Sequence, residues 1–347
     1  MAKKSLNIIY HWFPHYREIL FLEISNIFNL KLIGANKTNY NNLKLINHDK
    51  FNFFEVKNIW IGPFLYQKGL ISYIKNCKDK RFVFLGDWKF ITTWIILIFF
   101  SSNKKFIAWT HGVNEKDFIL LKFIKYIYYS MFAEVITYNE KASSRLNKLG
   151  IISRPIYNAN TLPFELPKKT GEEVNWLFVG RITRDRLIIE FINEMIKSKN
   201  KLNNVIFHII GPCDFSEEIY ELISLNNFNQ HVVYHGVIYN QNTIINISKS
   251  CKYFIHPSDI GLSALLALNL NLILFTHDDI PNHKPEIEPL VDSNRILKYR
   301  KNHLSIDSLF SKQKSFSPNY ELIRQNQVKW SISNQVSIFK KLFCGER

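Results

Sequence analysis

Two α/β domains in tandem, each a Rossmann-like, doubly wound parallel sheet, are what this sequence predicts. Three observations predict it. Short apolar strands alternate with segments whose apolar residues recur at intervals of three and four, the periodicity of a helix lying on a sheet. The alternation stops at a polar break, "PFELPKKTGEEVN" (Pro163 to Asn175), and restarts beyond it. The 347 residues are also too many for one ordinary core and comfortable for two.

The first domain, residues 1–165, opens on a strand, "SLNIIYHW", then a loop, "FPHYRE", and a helical segment, "ILFLEISNIF". Strands "KLIGA", "RFVFLGD" and "KFIAWTHG" follow, then the helix "DFILLKFIKYIYYSMF" and the strand "AEVITYN". Residues 166–174, within the polar break, form the linker. The second domain, residues 175–322, runs "VNWLFVG" strand, "LIIEFINEMI" helix, "NVIFHIIG" strand, "EEIYELISL" helix, "HVVYHG" strand and "NTIINISKS" helix. It continues with "KYFIHPS" strand, "GLSALLALNL" helix, "NLILFTHD" strand and a helix starting near Pro285. The tail, residues 323–347, reads as one long C-terminal helix through "ELIRQNQVKWSISNQVSIFKKLF".

Composition narrows the class. With 46% hydrophobic and 21% charged residues the chain packs a core and is not disordered. The formal net charge of +16 points to an anionic partner: nucleic acid, membrane surface or substrate. A general bias towards Lys, Asn and Ile gives the same charge, so charge alone selects none of them. No Arg-rich arm, zinc spacing or RNA-binding signature is present, and nucleic acid is not the expected partner. Cys77, Cys213, Cys251 and Cys344 form no CxxC pair and read as thiols of a reducing compartment. The N-terminal apolar run is too short and too aromatic for a secretory signal. The greasiest stretch, Phe90 to Phe100, makes about 17 Å of helix, half a bilayer core, and reads as a buried helix. A cytoplasmic protein is expected.

The strands of the second domain end in small, sharp signals: Gly180–Arg181, Gly211, Gly236 and Gly261. Ligands of open α/β sheets bind where strands end at their carboxyl edge, and glycine lets backbone amides approach them. Gly261 precedes a helix, so the amides of Gly261, Leu262 and Ser263 would form an anion site. In "GRITRDR", Arg181 and Arg186 stand five apart where a strand passes into a helix, placed to clamp a diphosphate. Each feature alone is an ordinary turn or a solvated helix start. Their convergence on one sheet edge favours a phosphate site.

These residues resemble family 4 of the retaining GT-B glycosyltransferases, over essentially the whole chain. The resemblance rests on Gly180–Arg181, Arg186, Gly211, Pro257–Ser258, Gly261–Leu262 and Pro285–Glu286. In the first half it rests on "PHYRE", "WTHG", "VITYNEKASSRLNKLGI" and "NANT", stretches similar to a subgroup of bacterial surface-polysaccharide enzymes. It implies two domains facing across a cleft, a C-terminal helix packing back on the first, and transfer of a sugar from a nucleotide-sugar with retention. It also implies catalysis without a metal ion. One departure stands out: the two glutamates that most members carry eight apart correspond here to Ser258 and Leu266.

On that resemblance the donor is expected against Gly180, Gly211, Ser258, Asp259, Gly261, Leu262, Ser263, Glu286 and Glu288, with Arg181 and Arg186 on the leaving diphosphate. Glu286 and Glu288 would accept sugar or ribose hydroxyls, or else complement a helix N-terminus. His111, ending a buried strand, would assist at the donor sugar. His15, Arg17 and Asn160 would lie on the acceptor side, while Asp87 reads best as a helix cap. His277, Asp278, Asp279 and His283 match no standard metal spacing and no DxD motif exists, so neither metal nor other cofactor is expected. The acceptor would be a saccharide or a lipid-linked oligosaccharide. "KKSL", "FIKYIYYSMF", Trp60, Trp88 and Trp94 suit peripheral contact with anionic lipid. A non-catalytic subunit of the same fold is the principal alternative, because it too would lack the glutamate pair.

Overall fold

Parallel strands buried on both faces need nearly continuous apolar runs, and the chain supplies two sets of them. The computed structural model describes residues 3–38, 44–114, 116–159, 174–312 and 319–344. It divides into two units, one of Met1–Thr161 with Ser331–Arg347 and one of Leu162–Trp330. Of the expected linker, residues 166–173 lie outside the described residues.

The first unit holds β1 (Ser5–Ile9), β2 (Asn29–Gly34), β3 (Asn52–Glu55), a hairpin of β4 (Lys57–Ile61) and β5 (Phe64–Lys68), then β6 (Arg81–Leu85), β7 (Lys105–Thr110), β8 (Glu134–Thr137) and β9 (Ser153–Pro155). Its main sheet has seven strands in the order β3-β2-β1-β6-β7-β8-β9, every neighbour parallel. The β4–β5 hairpin is antiparallel and stands apart from it. Its turn uses Gly62 at φ +56°, a conformation that costs a Cβ-bearing residue more. Helices α1 (Glu18–Ile27), α2 (Leu70–Asn76), α3 (Ile91–Phe100), α4 (Ile119–Ser130) and α5 (Glu140–Lys148) supply the crossovers and cover the sheet. One face buries Phe21 and Ile24 of α1, the other Ile74 of α2, Ile96 and Leu97 of α3 and Tyr128 of α4.

The second unit repeats the plan with β10 (Asn175–Val179), α6 (Ile188–Lys197), β11 (Phe207–Ile210), α7 (Ser216–Leu225), β12 (Val232–Tyr234), α8 (Gln241–Ser248) and β13 (Cys251–Ile255). It goes on with α9 (Ser263–Asn269), β14 (Ile273–His277), α10 (Glu288–Asp292), β15 (Ile296–Tyr299), α11 (Asp307–Lys312) and α12 (Tyr320–Lys329). Six parallel strands run in the order β12-β11-β10-β13-β14-β15. Residues of α6, α7 and α11 close one core around Trp176, Phe178 and Phe207. On α9 and α10, α12 is fastened by Gln327 Nε2 donating to Leu268 O (3.0 Å) and Asn326 Nδ2 to Pro289 O (3.2 Å).

Three expectations are corrected. The tail is two helices, α12 and α13 (Ile332–Cys344), because Ser331 Oγ accepts the Asn334 amide at 2.9 Å and starts a new helix. The break falls where the chain returns to the first unit. There α13 inserts Phe339 against Trp109 and Phe343 against Phe28, both almost fully buried; each such ring contributes about 3–5 kcal/mol. The expected helix over "GLSALLALNL" has only seven residues, since the chain turns at Asn271 with φ +54°. And α3 is not buried all round, because Ile98 and Phe99 point outward, 59% and 71% exposed.

Candidate functional site

Connections from β10 lead to β11 and β12 on one side, while those from β13 lead to β14 and β15 on the other. Between β10 and β13 the strand order therefore reverses, the place where such sheets bind ligands at their carboxyl edge. Three segments converge there, residues 180–187, 256–263 and 283–286.

The first is shaped by close backbone approach. Gly211, at the end of β11, has φ +145°, and a Cβ there would lie 1.8 Å from the Gly180 carbonyl oxygen. Only glycine lets the two strand ends meet so closely. Beyond Gly180 the chain makes a short turn over Arg184–Arg186, then passes through Leu187 at φ +57° into α6. A branched residue at positive φ is strained, and here it reverses the chain directly after Arg186. The half-buried Arg186 reaches across to the loop after β13. Its Nη1 donates to Asp259 O at 2.6 Å and approaches Ser258 Oγ at 3.5 Å. Arg181 is exposed, and its charge helps hold the Asp185 carboxyl below its ordinary pKa, behind a Thr183 hydrogen bond and Arg186.

The loop itself is held by three histidines. His256 Nδ1 lies 3.0 Å from Ser258 O, so that nitrogen carries the proton and donates it. His283 Nδ1 accepts the Ile260 amide at 3.0 Å, which leaves Nε2 protonated and donating to His277 O at 3.2 Å. The Nε2 of His277 lies 2.9 Å from Asp259 Oδ1, and its ring stacks on His283 with centroids 4.1 Å apart. Burial, reinforced by the Arg186 charge, lowers the His256 pKa to about 3, and burial lowers that of His283 to about 4. Both rings are therefore neutral at pH 7, in the tautomers the backbone requires.

Asp259, His277 and His283 bring donor atoms within 4.8 Å of one another, a spacing that invites a metal reading. The hydrogen bonds argue otherwise. Both nitrogens of His283 already serve backbone groups, leaving two donors where a site needs at least three.

The other expected donor-side residues fall in place around this loop. Ser258 is buried, and Ser263 Oγ donates to Val179 O at 3.2 Å, tying α9 to the end of β10. Leu262 precedes α9 and Gly261 is partly exposed. Glu286 is buried and Glu288 begins α10 half-exposed, so of the two Glu288 is the more open to a ligand. Leu266, standing where a carboxylate would be expected, is buried in α9. Sequence reasoning missed Lys284. It is exposed, its amide donates to Ile260 O at 2.9 Å, and its Cγ lies 3.4 Å from where a Gly261 Cβ would be. It is a cation beside Arg186's loop, and its only signal was its place before Pro285–Glu286. A pocket of ≈ 380 Å³ opens on the α6 side of the loop, its lining including Asp185, Glu190, Asp259, His277, Tyr299 and Lys301. Three carboxylates make it a poor place for a diphosphate. The Arg186–Gly261–Lys284 rim lies on the other side of the loop and carries two cations in place of carboxylates.

In the first unit, His111 follows β7 and is exposed, its ring 4.4 Å from that of Tyr138. His15 Nδ1 lies 3.1 Å from Lys44 O, and burial lowers its pKa. Arg17, expected to face a ligand, is instead buried. Its guanidinium lies 4.6 Å from the Trp109 ring and donates from Nη2 to Tyr138 Oη at 3.1 Å. Burial works against the charge, yet the surrounding Tyr10, Tyr138 and Tyr16 raise its pKa above the ordinary value. Asp87 accepts the Lys89 amide in the turn before α3. Asn160 lies outside the described residues.

No protein-family model matches this chain, and no curated protein sequence matches it. Solved structures do. The chain is similar to Alr3699/HepE of Anabaena, solved in complex with UDP, with a TM-score of 0.68 and 10% identity over 99% of this chain and 100% of that one. A glycosyltransferase from Rickettsia africae ESF-5 gives 0.68 and 13% over 100% of both chains. The lipopolysaccharide outer core galactosyltransferase WaaB gives 0.64 and 11% over 99% and 100%. Likeness at such identities establishes the fold: two parallel-sheet α/β domains of GT-B type.

Proposed function

We propose that this chain is a glycosyltransferase that binds a nucleoside-diphosphate sugar at the carboxyl edge of β10 and β13 and transfers the sugar to a hydroxyl of a saccharide or lipid-linked oligosaccharide. The observation that carries the reading is Arg186 seated on the Asp259 carbonyl and near the Ser258 hydroxyl, in the loop that holds Gly261 and packs on Lys284. Two cations and a glycine turn share one loop, and the buried His256 and His283 hydrogen-bond its backbone. Structural relatives solved with UDP and with UDP-glucose support a nucleotide-sugar donor.

As the sugar leaves, negative charge grows on the diphosphate and oxocarbenium-like charge on the anomeric carbon. Arg186, with Arg181 and Lys284 at the rim, would stabilise the former; preorganised donors of this kind contribute about 3 kcal/mol each. We infer retention of configuration, the departing phosphate taking the acceptor's proton on the same face, with His111 assisting. Surface-polysaccharide assembly is the proposed setting, supported by the likeness to WaaB. Saturation-transfer NMR and hydrolysis assays across UDP-, GDP- and dTDP-sugars test the reading; binding of none of them removes it. Leu266 in place of a carboxylate favours a second reading, a non-catalytic subunit of the same fold. Donor binding with no hydrolysis or transfer would select it.

A further inference from the structure

Helices α3 and α4 pack on the same face of the first sheet, with the Trp94 ring 4.9 Å from that of Tyr128. Their inward residues fill the core, and among the described residues their outward ones are exposed. Ile98 and Phe99 project from α3; Phe118, Ile119, Leu120 and Phe123 project along α4, Ile119 86% exposed. Tyr126 and Ile127 extend the stripe one turn further. Phe99, Phe118 and Phe123, 58–71% exposed, together present on the order of 300–500 Å² of apolar surface. Spread along two neighbouring helices, that is much apolar surface for one face of a domain.

Lysines predominate around this face. Neither α3 nor α4 contains an Asp or Glu. Exposed Lys75, Lys78, Lys80 and Lys105 stand at the end of the sheet where α3 finishes. Lys104 binds the two loops there together, donating to Cys77 O at 2.6 Å and Asp79 O at 3.2 Å. Among the described residues, three neighbouring acids are already engaged. Asp79 accepts Asn7 Nδ2, Asp117 pairs with Lys125 at 2.7 Å, and the buried Glu134 pairs with Arg154 and Lys105.

We propose that the α3–α4 face is a docking surface for an anionic lipid bilayer, its aromatic and aliphatic tips entering the headgroup boundary while the lysine rim meets lipid phosphates. This surface belongs wholly to the first unit and stands independently of the donor reading. It shares Phe123, Tyr126 and Ile127 of "FIKYIYYSMF" with the contact expected from the sequence, but leaves out other members. Trp94 is spent inward, its Nε1 donating to Trp88 O, and Lys3 and Lys4 are tied to Ser25 O and Cys344 O.

Flotation of the full chain with phosphatidylcholine vesicles, with and without added phosphatidylglycerol, tests the proposal. Binding to the anionic vesicles is expected, weakening as salt rises. The triple variant Phe99→Ser, Ile119→Ser, Phe123→Ser should bind at least about tenfold more weakly while melting like the parent, since all three side chains are exposed. The set Lys75→Gln, Lys78→Gln, Lys80→Gln should lose about fivefold per residue on anionic vesicles only. Three results would each overturn the proposal: no flotation at low salt, equal binding by the triple variant, or a parent dimer that the triple variant converts to monomer. The last would make the face a contact between copies.

Discussion

Replacing Arg186 by Met keeps most of the side chain's volume and removes its charge and donors. In the structure Nη1 makes one short bond, 2.6 Å to Asp259 O, and one at the distance limit, 3.5 Å to Ser258 Oγ. The first is charge-assisted and contributes about 1.5–3 kcal/mol. A guanidinium about 4 Å from a phosphate charge adds up to about 4 kcal/mol at an effective dielectric of 20. Solvent reaches Arg186, whose side chain is 29% exposed, so the lower part of both ranges applies. A loss of about 3–4 kcal/mol in the transition state corresponds to a 10²- to 10³-fold fall in kcat/KM. UDP affinity, a ground-state quantity, should fall less, by about tenfold. The assay is nucleotide release from the preferred donor, with calorimetric titration of UDP. Arg184→Met is the control, because Arg184 belongs to the same turn but pairs with Glu218 and stacks on Phe215. It should leave UDP affinity unchanged. An Arg186→Met protein that binds UDP like the parent, or an Arg184→Met protein that loses more, refutes the argument.

Gly211→Ala places a methyl 1.8 Å from Gly180 O, so the β10 and β11 ends must separate; a cost above about 3 kcal/mol and a melting temperature lower by about 6–12 °C or more are expected by calorimetry. Acid should destabilise the chain between pH 6.5 and about 4. His256 and His283 have folded pKa values lowered to about 3 and about 4, so in this window the unfolded state binds protons the folded state refuses. Stability falls by about 1.4 kcal/mol per pH unit for each, and is untouched by them above pH 6.5; a urea midpoint equal at pH 5 and pH 7 would contradict this. Zinc or a chelator should leave the melting temperature and UDP affinity unchanged, because His283 has no nitrogen to offer; a metal-dependent rise in melting temperature would show that its backbone bonds yield.

Much of the fold was legible because its signals are local. "RFVFLG" and "NWLFVG" are apolar over the few residues a buried strand needs, and their neighbours carry helical spacing. The hairpin of β4 and β5 escaped, although Gly62–Pro63 marks its turn, because apolar residues exposed on both strands hide the alternation of a half-buried strand. The break between α12 and α13 escaped because Ser331 interrupts a run of good helical spacing without a glycine or proline to mark it. At the site, glycines and arginines announced themselves by type and spacing. Lys284 did not, being one lysine among many in a basic chain.

By itself the sequence determined two parallel sheets, a glycine-punctuated carboxyl edge and two arginines five residues apart, since each depends on neighbours in the chain. Tertiary structure decided which arginine meets the loop after β13, that three histidines freeze that loop, that Arg17 lies under aromatic rings, and that α3 and α4 leave an apolar face outside. These are matters of register between β13 and β14 and of which helix face meets the sheet. A hydrogen bond from the Ile260 amide to His283 spans 23 residues of chain, and no local pattern encodes a contact that forms only when separate strands come into line.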